Sequence, residues 1–154
     1  MKLSDIERKL SVIYRNNLVK PYFHGREKLS RPAIYNVISG GNYRMDNLLS
    51  LINSYGLQLT MNDFPVNDLE SLGRALSSAR NLAHIPQRNL LMRIKEQHPS
   101  FSSSRIYAIE SGKNFQKNSF LDYLSGLEKK EGEFYQWDLK QGSCPLTEEE
   151  IDWL

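Results

Sequence analysis

SRPAIYNVISGGNY, residues 30–43, spells out a complete short helix, and the chain then spells it again. The second copy is SSSRIYAIESGKNF, residues 102–115, 72 positions further on. Ser30, Ile34, Tyr35, Ser39, Gly40 and Asn42 return as Ser102, Ile106, Tyr107, Ser111, Gly112 and Asn114. Ser30 suits an N-cap, because its hydroxyl can accept from an orphan backbone N–H. Pro32 falls in the first turn, where a missing N–H costs nothing. Ile34, Val37 and Ile38 are spaced i, i+3, i+4 and share one helical face. Gly40 and Gly41 then offer a left-handed C-cap. The pattern predicts a helix of about two to three turns with a marked start and stop.

Working outward, RMDNLLSLINSYG (44–56) sets Leu48, Leu51, Ile52 and Tyr55 on one stripe before Gly56. KNSFLDYLSGL (117–127) carries Phe120, Leu121, Leu124 and Leu127. Leu48, Leu49 and Ile52 align with Phe120, Leu121 and Leu124 at the same offset, which predicts a duplicated unit with these positions in its core. Upstream, SDIERKLSVIYRN places Ser4 as a cap and Ile6, Leu10 and Ile13 on one face. DLESLGRALSSARNL (Leu69, Leu72, Leu76, Ala79) and PQRNLLMRIKEQ (Pro86 at the start; Leu90, Leu91, Ile94) predict two further helices. Pro21 and Gly25 interrupt residues 18–28, where unit one would need its matching helix.

Two segments alternate with period two instead. LQLTMND (57–63) alternates Leu57, Leu59 and Met61. EFYQWDLK (133–140) sets Tyr135, Trp137 and Leu139 against Phe134, Gln136 and Asp138. Both read as strands. A lone strand leaves its ladder groups unpaired, so the simplest arrangement pairs the two, antiparallel. The expected fold is mainly α: two related units of four to five helices, joined by a small central antiparallel β pairing around an internal pseudo-twofold. Unit one spans 1–63 and unit two 69–140, with residues 64–68 of the turn-rich NDFPVND as linker and 141–154 as an acidic tail.

Bulk properties narrow the function classes. Hydrophobic residues are 40% and charged residues 25% of the 154, within the range of folded globular chains. No apolar run approaches the ~18 residues of a membrane span, and MKLSDIERKL has no apolar core of signal-peptide length. Cys144 is single, without a C-x-x-C partner. Together these favour the cytoplasm. Net charge is only +2 with a pI near 8.6, so a polyanion partner must be argued from pattern, not charge. His24, His84 and His98 are scattered without metal-ligand spacing, and no cofactor is expected. There is no Gly-rich phosphate loop, nucleophile elbow or nuclease-like carboxylate set, so an enzyme is not expected.

The order helix, helix, short capped helix, Gly turn, amphipathic helix resembles the helix-turn-helix domain of the phage-repressor and Cro (XRE-type) family. The residues that carry the likeness are LSRPAIYNVISGGNYRMDNLLSLINSYGLQL and FSSSRIYAIESGKNFQKNSFLDYLSGL, over 29–59 and 69–127. The turn between Ile94 and Ser102 is longer than the family's usual one. The exit INSYGLQLTMND is similar to antitoxin-type members, in which a C-terminal strand pairs with its twofold mate. Small conjugative-plasmid DNA-binding proteins resemble the whole architecture, as internal dimers with a helix-turn-helix at each end.

The resemblance implies that the capped helix enters the major groove with its leading residues on base edges. It makes Arg31, Pro32, Ala33 and Asn36 the base readers of unit one, and Ser103, Ser104, Arg105 and Ala108 those of unit two. Arg31 and Arg105 suit guanine and Asn36 suits adenine. Ser30, Tyr35, Asn42, Tyr43, Arg44, Ser102, Tyr107, Lys113, Asn114 and Lys117 would hold the DNA backbone. The readers differ between copies, so a monomer acting as a pseudo-dimer should prefer two unlike half-sites about one helical turn apart.

The expected function is sequence-specific binding of double-stranded DNA, in transcription regulation. Recognition of an origin region during plasmid conjugation or mobile-element transfer is the alternative use. A protein-interaction module that has lost DNA binding is the competing class, favoured by the low net charge, Pro32 at a reading position and Glu110 near the groove face. In the acidic tail EEEIDW, Trp153 and Leu154 are candidates for docking on the body or anchoring a partner protein.

Overall fold

The computed structural model describes residues 2–19, 29–128 and 135–141. These form seven helices and one small three-stranded antiparallel sheet. None of these helices is long and apolar enough to cross a membrane. Helix α1 (Leu3–Val19) buries Ile6, Leu10 and Ile13, the expected face. It begins ahead of Ser4, which is therefore not its cap. The Lys2 N–H donates instead to Asp5 Oδ2 at 3.0 Å, and this backbone hydrogen bond lowers the Asp5 pKa. The interrupted stretch 20–28 lies outside the described residues.

Helices α2 (Arg31–Ile38) and α6 (Ser103–Glu110) are the two copies of the short helix. Ser30 Oγ accepts from the Ala33 N–H at 3.4 Å, and Pro32 sits in the first turn. Ser102 occupies the matching cap position, but its hydroxyl pairs with Ser104 Oγ at 2.9 Å. Both helices end on a left-handed glycine, Gly40 at φ +76° and Gly112 at φ +81°.

Helices α3 (Met45–Ser54) and α7 (Lys117–Leu127) bury Leu48, Leu51 and Ile52 on one side and Phe120, Tyr123, Leu124 and Leu127 on the other. Leu49 and Leu121 diverge, at 2% and 41% exposed, so Leu121 is not the core residue that its alignment predicts. Leu49 sits where α3 meets α4 (Leu69–Leu82), beside Leu69, whereas the contacts of α7 with α6 and with α5 (Gln87–Lys95) leave Leu121 open. Pro86 precedes α5 as expected.

Strand β1 (Leu57–Met61) lies between β2 (Phe64–Val66) and β3 (Trp137–Gln141). The β1–β3 ladder is the antiparallel pairing expected from the two alternating segments, with Leu59 opposite Leu139. Strand β2 falls where a linker was expected. Asn62 and Asp63 both adopt positive φ, 50° and 68°, the geometry of a two-residue hairpin turn. This brings Val66 opposite Leu59. Pro65 is tolerated because β2 is an edge strand. The connection thus shrinks to Asn67 and Asp68. Asp68 caps α4 reciprocally: the Ser71 N–H donates to its Oδ1 at 2.8 Å, and its own N–H donates to Ser71 Oγ at 3.1 Å.

The buried apolar side chains form one cluster running from Leu3 to Trp137. A second junction joins the chain across it. Arg44 and Gln116, which are 72 positions apart, form an isolated antiparallel bridge. The Met45 N–H donates to the Phe115 carbonyl at 2.9 Å, and the Lys117 N–H donates to the Tyr43 carbonyl at 2.8 Å.

Candidate nucleic-acid interface

The leading ends of α2 and α6 face solvent. Arg31, Pro32, Asn36, Ser103, Ser104 and Arg105 are exposed, with Ala33 and Ala108 half-buried. The opposite faces, Ile34 with Val37 and Ile106 with Ile109, anchor each helix in the core. Arg31 and Arg105 have no carboxylate partner among the described residues; Arg105 lies over the Phe101 ring, 5.6 Å from its centroid. Tyr35 is 52% and Tyr107 62% exposed. Tyr35 stands edge-on to Tyr14 at 5.5 Å, and Lys113 Nζ lies 5.8 Å from the Tyr107 centroid. Each tyrosine is braced by one neighbouring side chain and remains exposed. Asn36 folds back over the end of its own helix, where its Nδ2 donates to the Asn42 carbonyl at 3.5 Å. Reading adenine would require that bond to open.

Several residues expected on the DNA backbone are placed elsewhere. Tyr43 is 1% exposed and its hydroxyl donates to Glu7 Oε2 at 2.7 Å. Burial first, then Glu7, pushes its phenol far above the usual range. Lys117 Nζ donates to the same Glu7 oxygen at 2.7 Å and to the Gly40 carbonyl at 3.0 Å. Both are internal groups, not phosphate ligands. The recurring asparagines also have another role. The Asn42 amide donates to Gln116 Oε1 at 2.9 Å, and its Oδ1 accepts from the Asn118 N–H at 3.0 Å. Asn114 Nδ2 donates to Asp46 Oδ2 at 3.4 Å. Each side chain is engaged with the other copy of the repeat. Arg44 is exposed, but its guanidinium is 3.1 Å from Asp46.

Glu110 does not present its charge to the outer face of α6. Its carboxylate takes Arg80 in a fork, Nε and Nη2 each at 2.9 Å, with Tyr123 Oη donating at 2.8 Å and Gln87 Nε2 at 3.1 Å. Arg80 also donates to the Ile85 carbonyl at 2.9 Å. Burial alone would raise the Glu110 pKa; the hydrogen bonds from Arg80, Tyr123 and Gln87 outweigh it and hold the carboxyl below its ordinary value. The hydrogen bond to Glu110 raises the Arg80 pKa in turn. The acid that argued against a polyanion partner is thus paired with Arg80 inside the fold.

One cation was missed by the sequence reading. Arg88, in the first turn of α5, is exposed with no carboxylate partner among the described residues. It lines a groove of about 240 Å³ with Gln87, Leu91, Ser103 and Ile106. Its signal was weak, because Arg93 and Lys95 follow in the same helix and only the fold separates them from α6. Arg31, Arg88, Arg105 and Lys113 are thus exposed cations on or beside the two short helices. Trp153, Leu154 and the rest of the acidic tail lie outside the described residues. Comparison with protein-family models, with curated proteins and with solved structures found no match for this chain.

Proposed function

We propose that this chain binds double-stranded DNA sequence-specifically, as two related helix-turn-helix units about an internal pseudo-twofold, and that it regulates transcription by doing so. The observation that carries the reading is the pair α2 and α6: matched short helices, anchored by matched apolar faces, with outward leading ends that carry Arg31 and Arg105 free of acidic partners. The twofold reading draws support from two junctions. The Arg44–Gln116 bridge joins equal positions of the repeat, and the β1–β3 ladder is centred on Leu59 opposite Leu139, the middle residue of each strand.

In this reading Arg31 and Arg105 contact guanine edges, and Arg88, Lys113, Tyr35 and Tyr107 hold phosphates. Arg-Pro-Ala leads one helix and Ser-Ser-Arg the other, so the half-sites are unlike. Recognition of a transfer origin would use the same contacts on a different site. The test is selection of bound duplexes from a random pool at two salt concentrations. The expected result is two unlike half-sites about one helical turn apart, with affinity falling steeply as salt rises. No enriched sequence, or binding indifferent to salt, would overturn the proposal in favour of a protein-interaction module.

A further inference from the structure

We infer that the seam between residues 42–46 and 114–118 is a spacing gauge: it holds the two reading helices at one separation, so that the chain accepts one half-site spacing. This deepens the DNA-binding reading and rests on it for its biological meaning. Two units joined only through Asn67 and Asp68 would behave as tethered modules, tolerant of the distance between their sites. Here the junction is built from both sides. The bridge pairs the equal positions Arg44 and Gln116 through two flanking backbone hydrogen bonds, Met45 N–H to the Phe115 carbonyl and Lys117 N–H to the Tyr43 carbonyl.

Helix α7 has no side-chain cap of its own at Gln116; Asn42 of the other copy accepts from the Asn118 N–H in its place. Helix α3 likewise has no side-chain cap at Arg44, and Asn114 reaches Asp46 in its first turn. The most direct link to a reading helix is Lys117. From the first position of α7 its ammonium spans Glu7 on α1 and the Gly40 carbonyl just beyond α2. The lysine and the glutamate are 13% and 7% exposed, so water screens this pair little. Asn42, Glu7 and Lys117 are therefore positioning residues, acting on specificity through the placement of α2 relative to unit two.

Two measurements test this. The first needs no DNA. Spin labels at Ser39→Cys and Ser111→Cys, equivalent exposed positions at the ends of α2 and α6, are placed in a Cys144→Ser background. A single narrow distance is expected, broadened by Asn42→Ala with Glu7→Gln while the helical circular dichroism persists. A broad distribution without those substitutions overturns the inference.

The second compares duplexes carrying the selected half-sites at the selected spacing and with about 5 base pairs inserted, roughly half a turn. A loss of about a hundredfold is expected on insertion, the scale of lost bivalency. In Asn42→Ala/Glu7→Gln the ratio between the two duplexes should shrink. A purely structural role would weaken both duplexes alike and leave the ratio unchanged. Equal affinity of the unsubstituted chain for both spacings sinks the gauge and leaves DNA binding standing. Absence of any DNA binding sinks the proposed function, and the label distances still decide whether the seam is rigid.

Discussion

Arg31 and Arg105 occupy the positions where a single side chain matters most to the proposed binding. Both are exposed, so replacing either by alanine should leave the folding free energy within about 0.5 kcal/mol. Each replacement should cost about 1–3 kcal/mol of DNA affinity and relax base preference in its own half-site alone, as read by gel shift against a panel of substituted duplexes. Glu110 is the opposite case, an inward charge. Its folded pKa lies below the ordinary carboxylate value of 4.5, so its pairing contributes fully above about that pH and is lost as pH falls through the lower folded value. Glu110→Gln strands the buried Arg80 guanidinium and should cost about 3 kcal/mol at pH 7 in urea denaturation. The gap between the two proteins should close as pH drops below 4.5.

Among the elements, the close approach of α4 to α6 turns on one residue. A Cβ on Gly73 would fall 2.6 Å from the Glu110 carbonyl oxygen and 2.7 Å from that of Ile109. Both are backbone atoms and cannot swing aside. Gly73→Ala should therefore push α6 outward and lower stability by about 1–3 kcal/mol despite alanine's better helix propensity. Denaturant midpoints measure it. An unchanged midpoint would mean that α6 is not held against α4 as described. The same displacement should weaken DNA binding more in the half-site that α6 is proposed to read than in the other. Gly112 is confined twice, by φ +81° and by the Glu70 backbone 2.7 Å from its would-be Cβ.

For the whole molecule, the single core and the two junctions make separate unfolding of the two proposed units unfavourable. Fluorescence of Trp137 in a Trp153→Phe background reports on β3, and far-ultraviolet circular dichroism reports on the helices of both units. The two urea transitions should coincide. A helical phase surviving the loss of the Trp137 signal would mean that the units fold independently, and the seam would then be too weak to gauge spacing.

The sequence by itself determined the helices, the glycine stops of α2, α3 and α6, and the alternation of the two strands that pair. Capping, periodicity and left-handed turns are properties of a few successive residues, and 30–43 and 102–115 state them locally. Only the tertiary structure decided what those residues face. It withdrew Tyr43 and Lys117 into the interior around Glu7, turned Glu110 toward Arg80, left Leu121 exposed where Leu49 is covered, and brought Arg88 beside Ser103. It also recast the recurring Asn42 and Asn114 as contacts across the repeat. A hydrogen bond between residues 68 or 74 positions apart leaves no trace in spacing, because its geometry is set by how helices pack and not by how they start. The hairpin turn at Asn62 and Asp63 lies between these cases: both residue types tolerate positive φ, but only pairing with β1 makes a strand of a proline-containing segment.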